Sequence, residues 1–212
     1  MLKELEKLIK FIIQEHNEFN KLWIASDYYS KINLRKKTIN NLSEDNSLNI
    51  IFNYREFINE KNARLIIDFM HFNTTKAKVN VRTKTRNSIE YKKENYIANH
   101  NNGEIPINKC FNDLFGIRII CIEELEKEQI MNFMEKNYYN IKCIDSSKEE
   151  YKAIHIYFKE NNFSFPWELQ IWNKSDEKTN IISHEKYKQD YVEWEKTNKG
   201  GVNHGNTLYN YE

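Results

Sequence analysis

The first third of the chain has hydrophobic residues at the spacing of helices. In 2–13, leucine and isoleucine recur at intervals of three and four with lysine and glutamate between them, which predicts an amphipathic helix running to about Trp23. The same criteria predict three further segments: a second helical stretch around Tyr28, Tyr29 and Ile32, an Asn- and Ser-rich loop from Asn40 to Asn49, and a third helix between Tyr54 and Met70.

The pattern changes from Lys76 onward, where alternating and apolar runs predict strands separated by helices and loops. The predicted strands are 76–83, 116–122, 141–144, 151–159 and 163–172, of which 116–122 is apolar enough for an interior position. Helices are predicted at 88–98, 125–138 and 176–199, and a polar loop at 99–106. We therefore expect an α+β fold in which a mixed sheet of about five strands is flanked by helices.

The chain is expected to form a single domain. Its 212 residues fit one domain, and 5 glycines and 2 prolines leave neither a linker nor a repeat. The expected parts are a mainly helical N-terminal part at 1–75, a sheet region at 76–172, a C-terminal helix at 173–199 and a tail at 200–212.

Charge and cysteine content narrow the function classes. The 32 basic and 31 acidic residues nearly cancel, so binding to nucleic acid would need a local patch. Cys110, Cys121 and Cys143 are too few and too far apart for a disulfide framework or a zinc site, and we expect reduced thiols. The charged N-terminal stretch is unlike a signal peptide, and no apolar run approaches the roughly 20 residues of a membrane span. These features favour a cytoplasmic protein that does not enter a membrane.

The segment 81–92 has the side chains of an anion site. Arg82 and Lys84 lie two apart on a predicted strand, whereas Ser88 and Lys92 lie four apart on a predicted helix, so each pair shares a face of its element. Three cations and a hydroxyl can then converge on one phosphate. Considered alone, the segment also fits an ordinary solvated basic surface.

A carboxylate, a glycine and a guanidinium stand at the entrance to the predicted interior strand. In the run NDLFGIRII they are Asp113, Gly116 and Arg118. Mg²⁺ bound with phosphate substrates takes one or two protein carboxylates and fills its other positions with phosphate oxygens and water, so Asp113 can serve as a ligand. The alternative is an aspartate that caps a turn beside a surface arginine.

Two later strands add polar groups among apolar ones. Glu168 and Gln170 share one face of the strand at 163–172, and a carboxylate among Trp, Leu and Ile indicates a functional pocket unless the strand lies at a sheet edge. Tyr151 and His155 share a face of the strand at 151–159, where they can stack a base and donate to phosphate or ribose. A core tyrosine with a hydrogen-bonded histidine is the structural alternative.

The order of the motifs is more specific than any one of them. Between Lys76 and Lys188 the chain reads R-x-K-x-x-x-S-I-x-x-K, N-D-x-x-G-I-R, Y-K-A-I-H, E-L-Q-I and H-E-x-Y-K, the last at 184–188. Together they resemble the synthetase domain of the RelA/SpoT family, which includes small alarmone synthetases. The resemblance implies a nucleotidyltransferase-like fold and transfer of the β,γ-diphosphate of ATP to a ribose 3′-hydroxyl, with release of AMP.

The resemblance also implies roles for individual residues. Those assigned to ATP are Arg82, Lys84, Ser88, Lys92 and Arg118, with Arg82 or Arg118 also able to stack on adenine. Asp113 would hold Mg²⁺, and Glu168 would help to hold it or take the proton of the 3′-hydroxyl. Those assigned to the acceptor are Tyr151, His155 and Gln170. Asp113→Asn and Glu168→Gln are each expected to abolish transfer with little loss of fold.

Departures from the family pattern leave the acceptor open. Glu150 stands where the family usually has glycine, and Trp172-Asn173 stands where Arg-Thr commonly follows. We narrowly favour the 3′ CCA end of tRNA, as in translation-inhibiting toxins paired with an antitoxin protein. The basic cluster expected to bind tRNA is Arg35, Lys36 and Lys37. The alternatives are GDP or GTP, which would make the protein a (p)ppGpp alarmone synthetase, and an inactive nucleotide-binding module.

Overall fold

The fold was analysed in a computed structural model that describes residues 1–43 and 47–185. Its α-helices are α1 (Leu2–Ile24), α2 (Ser47–Met70), α3 (Arg86–Asn99), α4 (Ile107–Cys110), α5 (Lys127–Asn137) and α6 (177–185). Its strands are β1 (Ala77–Thr83), β2 (Phe115–Cys121), β3 (Lys142–Asp145), β4 (Ile154–Phe158) and β5 (Trp167–Asn173). None of the described helices combines the length and apolarity needed to cross a membrane.

The strands form one mixed sheet in the order β1-β2-β5-β4-β3. β2 and β5 run parallel, while the other neighbouring pairs are antiparallel. The predicted fold class, α+β with a mixed sheet of about five strands, is confirmed. The interior position predicted for the strand at 116–122 is also confirmed, because β2 has a hydrogen-bonded neighbour on each side.

One face of the sheet packs against α1 and α2 through a cluster of aromatic rings. Phe19 of α1 lies 5.3 Å from Trp167 of β5 and 5.8 Å from Tyr54 of α2, measured between ring centroids. The Trp167 indole Nε1 donates a hydrogen bond of 2.9 Å to the Tyr54 hydroxyl. Aromatic burial of this kind gives large apolar area and fixed edge-to-face geometry, so the two long helices provide a rigid support for the sheet.

The opposite face of the sheet carries two rows of mainly polar residues, which follow from strand register because alternate residues share a face. Moving across the strands from β1 to β3, the first row is Arg82, Gly116, Glu168, Tyr157 and Lys142. The second row lies two residues away along each strand and consists of Asn80, Arg118, Gln170, His155 and Ile144. Residues from 80 to 170 in the sequence therefore meet on one surface.

The structure differs from the sequence predictions at three places before β1. The helix predicted around Tyr28 is wrong, since 25–37 consists of turns and irregular chain. There the Asn33 side chain accepts hydrogen bonds from the backbone N–H groups of Arg35 and Lys36, both 3.1 Å, which favours a turn. The loop predicted at 40–49 contains a 3-10 turn at Asn40–Ser43. α2 begins at Ser47 rather than near Tyr54.

Two further differences lie toward the C-terminal end. Tyr151 precedes β4 and is joined to Lys148 by an isolated bridge, so the strand predicted at 151–159 starts three residues later, at Ile154. The C-terminal helix predicted to start at 173 begins at 177 as α6, because Asn173 is the last residue of β5 and Lys174–Asp176 form a 3-10 turn. The rest of that helix, from 186 to 199, and the predicted tail at 200–212 lie outside the described residues.

Candidate active site

The site begins with a buried aspartate that is held by two lysines. Asp113 lies just before β2, and its Oδ2 is 2.6 Å from the Nζ of Lys84, the residue that follows β1. Its Oδ1 is 3.0 Å from the Lys92 Nζ, which α3 brings in from its second turn. The Lys84 backbone N–H also donates to the Leu114 carbonyl at 2.9 Å, which fixes the end of β1 beside the aspartate. Each carboxylate oxygen of Asp113 is thus paired with its own ammonium group.

Burial and charge act in opposite directions in this cluster. Burial alone would raise the pKa of Asp113, but Lys84, Lys92 and Arg82 hold it well below its ordinary value. Burial lowers the pKa of Lys84 despite the neighbouring carboxylate. Burial would also lower the pKa of Lys92, but Asp113 raises it above the ordinary value. The aspartate is therefore ionised at neutral pH and is surrounded by more positive than negative charge.

Arg82 lies between this aspartate and Glu168. Its Nη2 is 3.7 Å from Asp113 Oδ2 and 4.0 Å from Glu168 Oε2, and 47 % of its side chain is exposed. Gly116 pairs with Arg82 across β1 and β2, and a Cβ at Gly116 would stand 3.1 Å from Arg82 Nε. A side chain at this position would therefore require Arg82 to move from its present place.

Glu168 is buried in the central strand and is held by three donors. It is 4 % exposed, and its Oε1 accepts from the Tyr157 hydroxyl and from His155 Nδ1, both at 3.1 Å. Its Oε2 accepts from Gln170 Nε2 at 2.8 Å. Burial alone would raise the pKa of Glu168, but the hydrogen bond from His155 contributes to a net lowering. The edge-strand alternative for this residue is wrong, because β5 lies between β2 and β4.

A chain of hydrogen bonds continues from Glu168 through His155 to two aromatic residues. The Tyr151 hydroxyl lies 2.9 Å from His155 Nε2, and the Trp172 indole Nε1 donates to the Tyr151 hydroxyl at 3.3 Å. With a neutral imidazole that carries its proton on Nδ1, every donor in this chain points toward Glu168. Burial raises the pKa of Tyr151 to about 12, so its hydroxyl keeps its proton and remains a donor.

Arg118 of the second row packs against the ring of Trp172. The Arg118 guanidinium lies 3.6 Å from the Trp172 ring centroid and donates to Gln170 Oε1 through Nε at 3.1 Å and Nη2 at 3.0 Å. His184 of α6 stacks on the same indole at 5.5 Å, and its Nε2 lies 3.3 Å from Arg118 Nη2. Burial, followed by repulsion from Arg118, lowers the pKa of His184 to about 4. The neutral histidine can therefore accept a hydrogen bond from Arg118.

Comparison with known proteins gives no match to a protein-family model and none to a curated protein. Among solved structures, small alarmone synthetase 1 from Bacillus subtilis aligns with 69 % of this chain and 82 % of its own, at 21 % identity and a TM-score of 0.41. This chain is similar to small alarmone synthetases.

Two further small alarmone synthetase structures align comparably. Small alarmone synthetase 1 bound to AMPCPP covers 65 % of this chain and 76 % of its own at 19 % identity and a TM-score of 0.37. Small alarmone synthetase 2 from the same organism covers 68 % and 82 % at 16 % identity and a TM-score of 0.39. The motifs in the sequence resemble the same kind of protein.

The fold brings together most residues that the resemblance to small alarmone synthetases singled out. Those that meet around the two carboxylates are Arg82, Lys84, Lys92, Asp113 and Glu168. Those that adjoin them in or beside the second row are Arg118, Tyr151, His155 and Gln170. Gln170 is 4 % exposed and lies between Arg118 and Glu168, which places it where it orients both of them.

Two predicted groups lie outside this cluster. Ser88 is in the first turn of α3, where its hydroxyl accepts a hydrogen bond of 2.8 Å from the Thr85 hydroxyl. Arg35, Lys36 and Lys37 are in the turn that follows Asn33. Their roles in binding ATP and tRNA stay predictions.

The sequence interpretation gave no role to Tyr157 and treated Trp172 only as a departure from the family pattern. Tyr157 donates to Glu168, and Trp172 supports Arg118 and donates to Tyr151. The available signal for Tyr157 was strand alternation, since it lies two residues after His155 and shares its face. The contacts of Trp172 depend on residues far away in the sequence, which no local pattern shows.

The two carboxylates fit a magnesium site in number and chemistry. Asp113 and Glu168 approach the same guanidinium, and Mg²⁺ takes one or two protein carboxylates beside phosphate oxygens. A carboxylate oxygen has two lone-pair sites. Each Asp113 oxygen accepts a hydrogen bond from one lysine, so each keeps a second lone pair that can bind a metal ion. Among residues 1–43 and 47–185, no group of three or more His, Cys, Asp or Glu side chains is arranged to hold a metal ion. Phosphate and water would have to supply the remaining ligands.

Proposed function

We propose that this protein is a pyrophosphokinase that transfers the β,γ-diphosphate of ATP to a ribose 3′-hydroxyl, with the 3′ CCA end of tRNA as acceptor. The observation that supports it is the convergence of Arg82, Lys84 and Lys92 on Asp113, beside a second buried carboxylate at Glu168. The 3′-oxygen attacks the β-phosphorus, the bond to the oxygen that bridges the α- and β-phosphorus breaks, and AMP leaves with that oxygen.

The three cations are suited to the polyphosphate of the donor. They surround one carboxylate, so the cluster keeps positive charge that a triphosphate can neutralise. Transfer of this type requires the protein mainly to position the phosphates and to stabilise developing negative charge. Lys84 and Lys92 supply compact point charges, whereas Arg82 supplies a planar fork that can bind two phosphate oxygens. Mg²⁺ held by Asp113 would supply further neutralisation of the phosphate charge.

In this proposal Glu168 accepts the proton of the attacking hydroxyl. Tyr157, His155 and Gln170 fix both of its oxygens, so the carboxylate has one orientation. A general base must lie within hydrogen-bond reach of the proton it removes, and a fixed carboxylate next to the donor phosphates meets this requirement for a ribose hydroxyl bound above it. Its second candidate role is to share the magnesium ion with Asp113.

The turn with the basic cluster favours tRNA as the acceptor. Arg35 and Lys36 are exposed, and the Arg35 guanidinium adds to the effect of burial in lowering the pKa of Lys159, so a third cation lies close to it. The turn is tied to α4 by hydrogen bonds from the Ile107 N–H to the Lys37 carbonyl at 2.9 Å and from the Asn108 N–H to the Leu34 carbonyl at 3.0 Å. α4 ends three residues before Asp113, so the basic cluster is tied to the chain segment that leads into the candidate site. Phosphate contacts of this kind dominate the affinity of proteins for nucleic acid.

GDP or GTP is the second candidate acceptor, which would make the product an alarmone. The pair of Tyr151 and His155 favours it, because an aromatic ring and an imidazole beside Glu168 can bind a single guanine nucleotide without contacts elsewhere. The third candidate is an inactive nucleotide-binding module. Release of AMP that depends on Glu168 would exclude the third.

The acceptor can be identified with ATP labelled at the γ-phosphate. The protein is incubated with labelled ATP and Mg²⁺ together with tRNA, with GDP or with GTP, and the label in each acceptor is counted. Label in tRNA that requires the terminal adenosine supports the proposal, whereas label in GDP or GTP alone would overturn the tRNA acceptor. Glu168→Gln serves as the inactive control.

Charge reversal tests the contribution of the basic cluster. The double variant Arg35→Glu and Lys36→Glu is expected to raise the KM for tRNA by about tenfold or more, because two phosphate contacts are lost and replaced by repulsion. The KM for ATP should stay unchanged. Lys136→Glu, an exposed lysine of α5, is the matched control. An equal rise in both KM values would contradict a specific role in tRNA binding.

An enzyme that modifies the 3′ end of tRNA would inhibit translation and would act as a toxin. Its expected partner is an antitoxin protein.

A further inference from the structure

Lys142 is a cation on the polar face of the sheet at the edge opposite Arg82. It is the first residue of β3 and pairs with Tyr157 of β4. Its side chain is exposed, and its Nζ lies 5.4 Å from the centroid of the Tyr157 ring. Within the described part of the chain no carboxylate forms an ion pair with it, whereas Arg82, Lys84 and Lys92 all pair with Asp113.

Strand order places Glu168 midway between the two basic edges of the first row. From β5, which carries Glu168, Arg82 lies two strands away on β1 and Lys142 lies two strands away on β3. Neighbouring strands are about 4.8 Å apart, so each edge is roughly 10 Å from the backbone of Glu168. The donor cations occupy one side of the carboxylate, and Lys142 is the cation that the row places on the other side.

Tyr157 joins Lys142 to Glu168 physically. Its ring faces the ammonium group of Lys142, and its hydroxyl donates to Glu168 Oε1 at 3.1 Å. An ammonium near an aromatic face is held by the ring quadrupole, which limits the rotamers of an otherwise flexible side chain. The same tyrosine therefore sets the position of the carboxylate and of the distant cation.

We propose that Lys142 binds the 5′-phosphate of the acceptor nucleotide and thereby contributes to acceptor affinity; the inference rests on the pyrophosphokinase function proposed above. A nucleotide whose 3′-hydroxyl lies at Glu168 has its 5′-phosphate on the far side of the same ribose. The donor phosphates occupy the side of Arg82, so the 5′-phosphate points toward β3. The bound group is the phosphodiester of an RNA end or the phosphate of a free nucleotide, and both have the same charged oxygens.

Kinetics of a Lys142→Ala variant test this role. We expect the KM for the acceptor to rise about five- to tenfold, in line with the loss of one charge-assisted contact, while the KM for ATP stays the same. The acceptor KM should also depend less steeply on salt in the variant than in wild type. Each lost contact to a single-stranded phosphate lowers the slope of log KM against log salt concentration by about 0.7. Running the assay with tRNA and with GDP identifies which source of the phosphate Lys142 serves.

Two further variants separate binding from a structural role. Lys142→Arg keeps the charge and is expected to recover most of the acceptor affinity, whereas Lys136→Ala, an exposed lysine of α5, should change nothing. Lysine on an edge strand can also serve only to discourage pairing with another chain. In that case Lys142→Ala would leave the acceptor KM and its salt dependence as in wild type, which overturns this inference alone. A wild-type protein that labels neither acceptor overturns the proposed function and this inference with it.

Discussion

Asp113 and Glu168 are both buried and ionised, but different kinds of group stabilise them. Asp113 is paired with the ammonium groups of Lys84 and Lys92. Glu168 accepts two of its three hydrogen bonds from uncharged side chains, the Tyr157 hydroxyl and the Gln170 amide. A residue that neutralises buried cations contributes to the fold as well as to the site, so the two carboxylates respond differently to substitution.

Asp113→Asn is now expected to destabilise the fold, contrary to the expectation from sequence. The amide would leave Lys84 and Lys92 buried without a negative partner, which costs about 3–5 kcal/mol in the free energy of unfolding at pH 7. Because the pKa of Asp113 is lowered in the folded state, the stability it contributes is present above about pH 4 and is lost as the pH falls further. Urea unfolding should therefore show that the difference in unfolding free energy between wild type and variant is smaller at pH 3 than at pH 7.

Glu168→Gln is the control for this prediction and the better probe of catalysis. It keeps the shape of the side chain and leaves mainly the Gln170 N–H without its acceptor, at a cost of about 1–2 kcal/mol. We expect loss of transfer in a folded protein. If Asp113→Asn lost no more unfolding free energy than Glu168→Gln at pH 7, the stabilising role of the ion pairs of Asp113 would be contradicted.

At the scale of elements, the pairing of β1 with β2 determines where Arg82 can lie. The register places Gly116 directly opposite Arg82, and the absence of a Cβ lets the guanidinium extend toward both carboxylates. A shift of one residue would place the neighbouring side chains of β2 on this face and remove the space. The position of the arginine is therefore a property of the strand pair rather than of the arginine alone.

Gly116→Ala is expected to displace Arg82 with little effect on stability. The added Cβ would lie 3.1 Å from Arg82 Nε and 3.3 Å from its Cγ, so the half-exposed side chain must move away from the carboxylates. We expect the KM for ATP to rise about tenfold, with a change of less than about 1 kcal/mol in unfolding free energy, since the contacted group is a mobile side chain. Steady-state kinetics and urea unfolding measure the two quantities.

Gly103→Ala provides the matched comparison. Gly103 has a φ of +77°, which side-chain-bearing residues rarely adopt, and its Cβ would contact the Asn40 backbone nitrogen at 3.1 Å. This variant should lose about 1–2 kcal/mol of stability and keep the KM for ATP. If the two glycine variants showed the same pattern, a specific role of Gly116 in positioning Arg82 would be excluded.

At the scale of the whole molecule, the rigidity of the site depends on the packing of α1 and α2 beneath the sheet. Trp167 is adjacent to Glu168 in β5 and points to the opposite face, where it contacts Phe19 and Tyr54. The central strand therefore carries the reactive carboxylate on one face and the anchor of the hydrophobic core on the other.

Tyr54→Phe tests how much the buried hydrogen bond beneath β5 contributes to stability. The change leaves the buried Trp167 indole N–H without an acceptor, so we expect a loss of about 1–3 kcal/mol in unfolding free energy. Turnover should remain near the wild-type value at temperatures where the variant is folded, because no group at the site is removed. Tyr28→Phe removes an exposed hydroxyl bonded to Glu60 at 3.2 Å and should change stability by less than about 0.5 kcal/mol. Equal losses in the two variants would argue against the importance of the buried bond.

The sequence predicted elements with a strong local period better than those without one. α1 ends at Ile24, close to the predicted Trp23, because its apolar spacing continues without interruption. The expected helix around Tyr28 failed because the Asn33 side chain stabilises a turn and because the Leu34 N–H bonds to the Asn162 carbonyl at 2.8 Å. The second of these contacts joins residues far apart in the sequence, so no local pattern could reveal it.

The candidate site shows the same division. The sequence by itself determined which side chains face together within one strand or helix, because alternation and helical spacing are local properties of the backbone, and it named Arg82, Asp113 and Glu168. Only the tertiary structure decided that Lys84 and Lys92 both bind one aspartate, and that Tyr157 lies between Glu168 and Lys142. Strand order and register depend on packing between distant segments, and these arrangements follow from them.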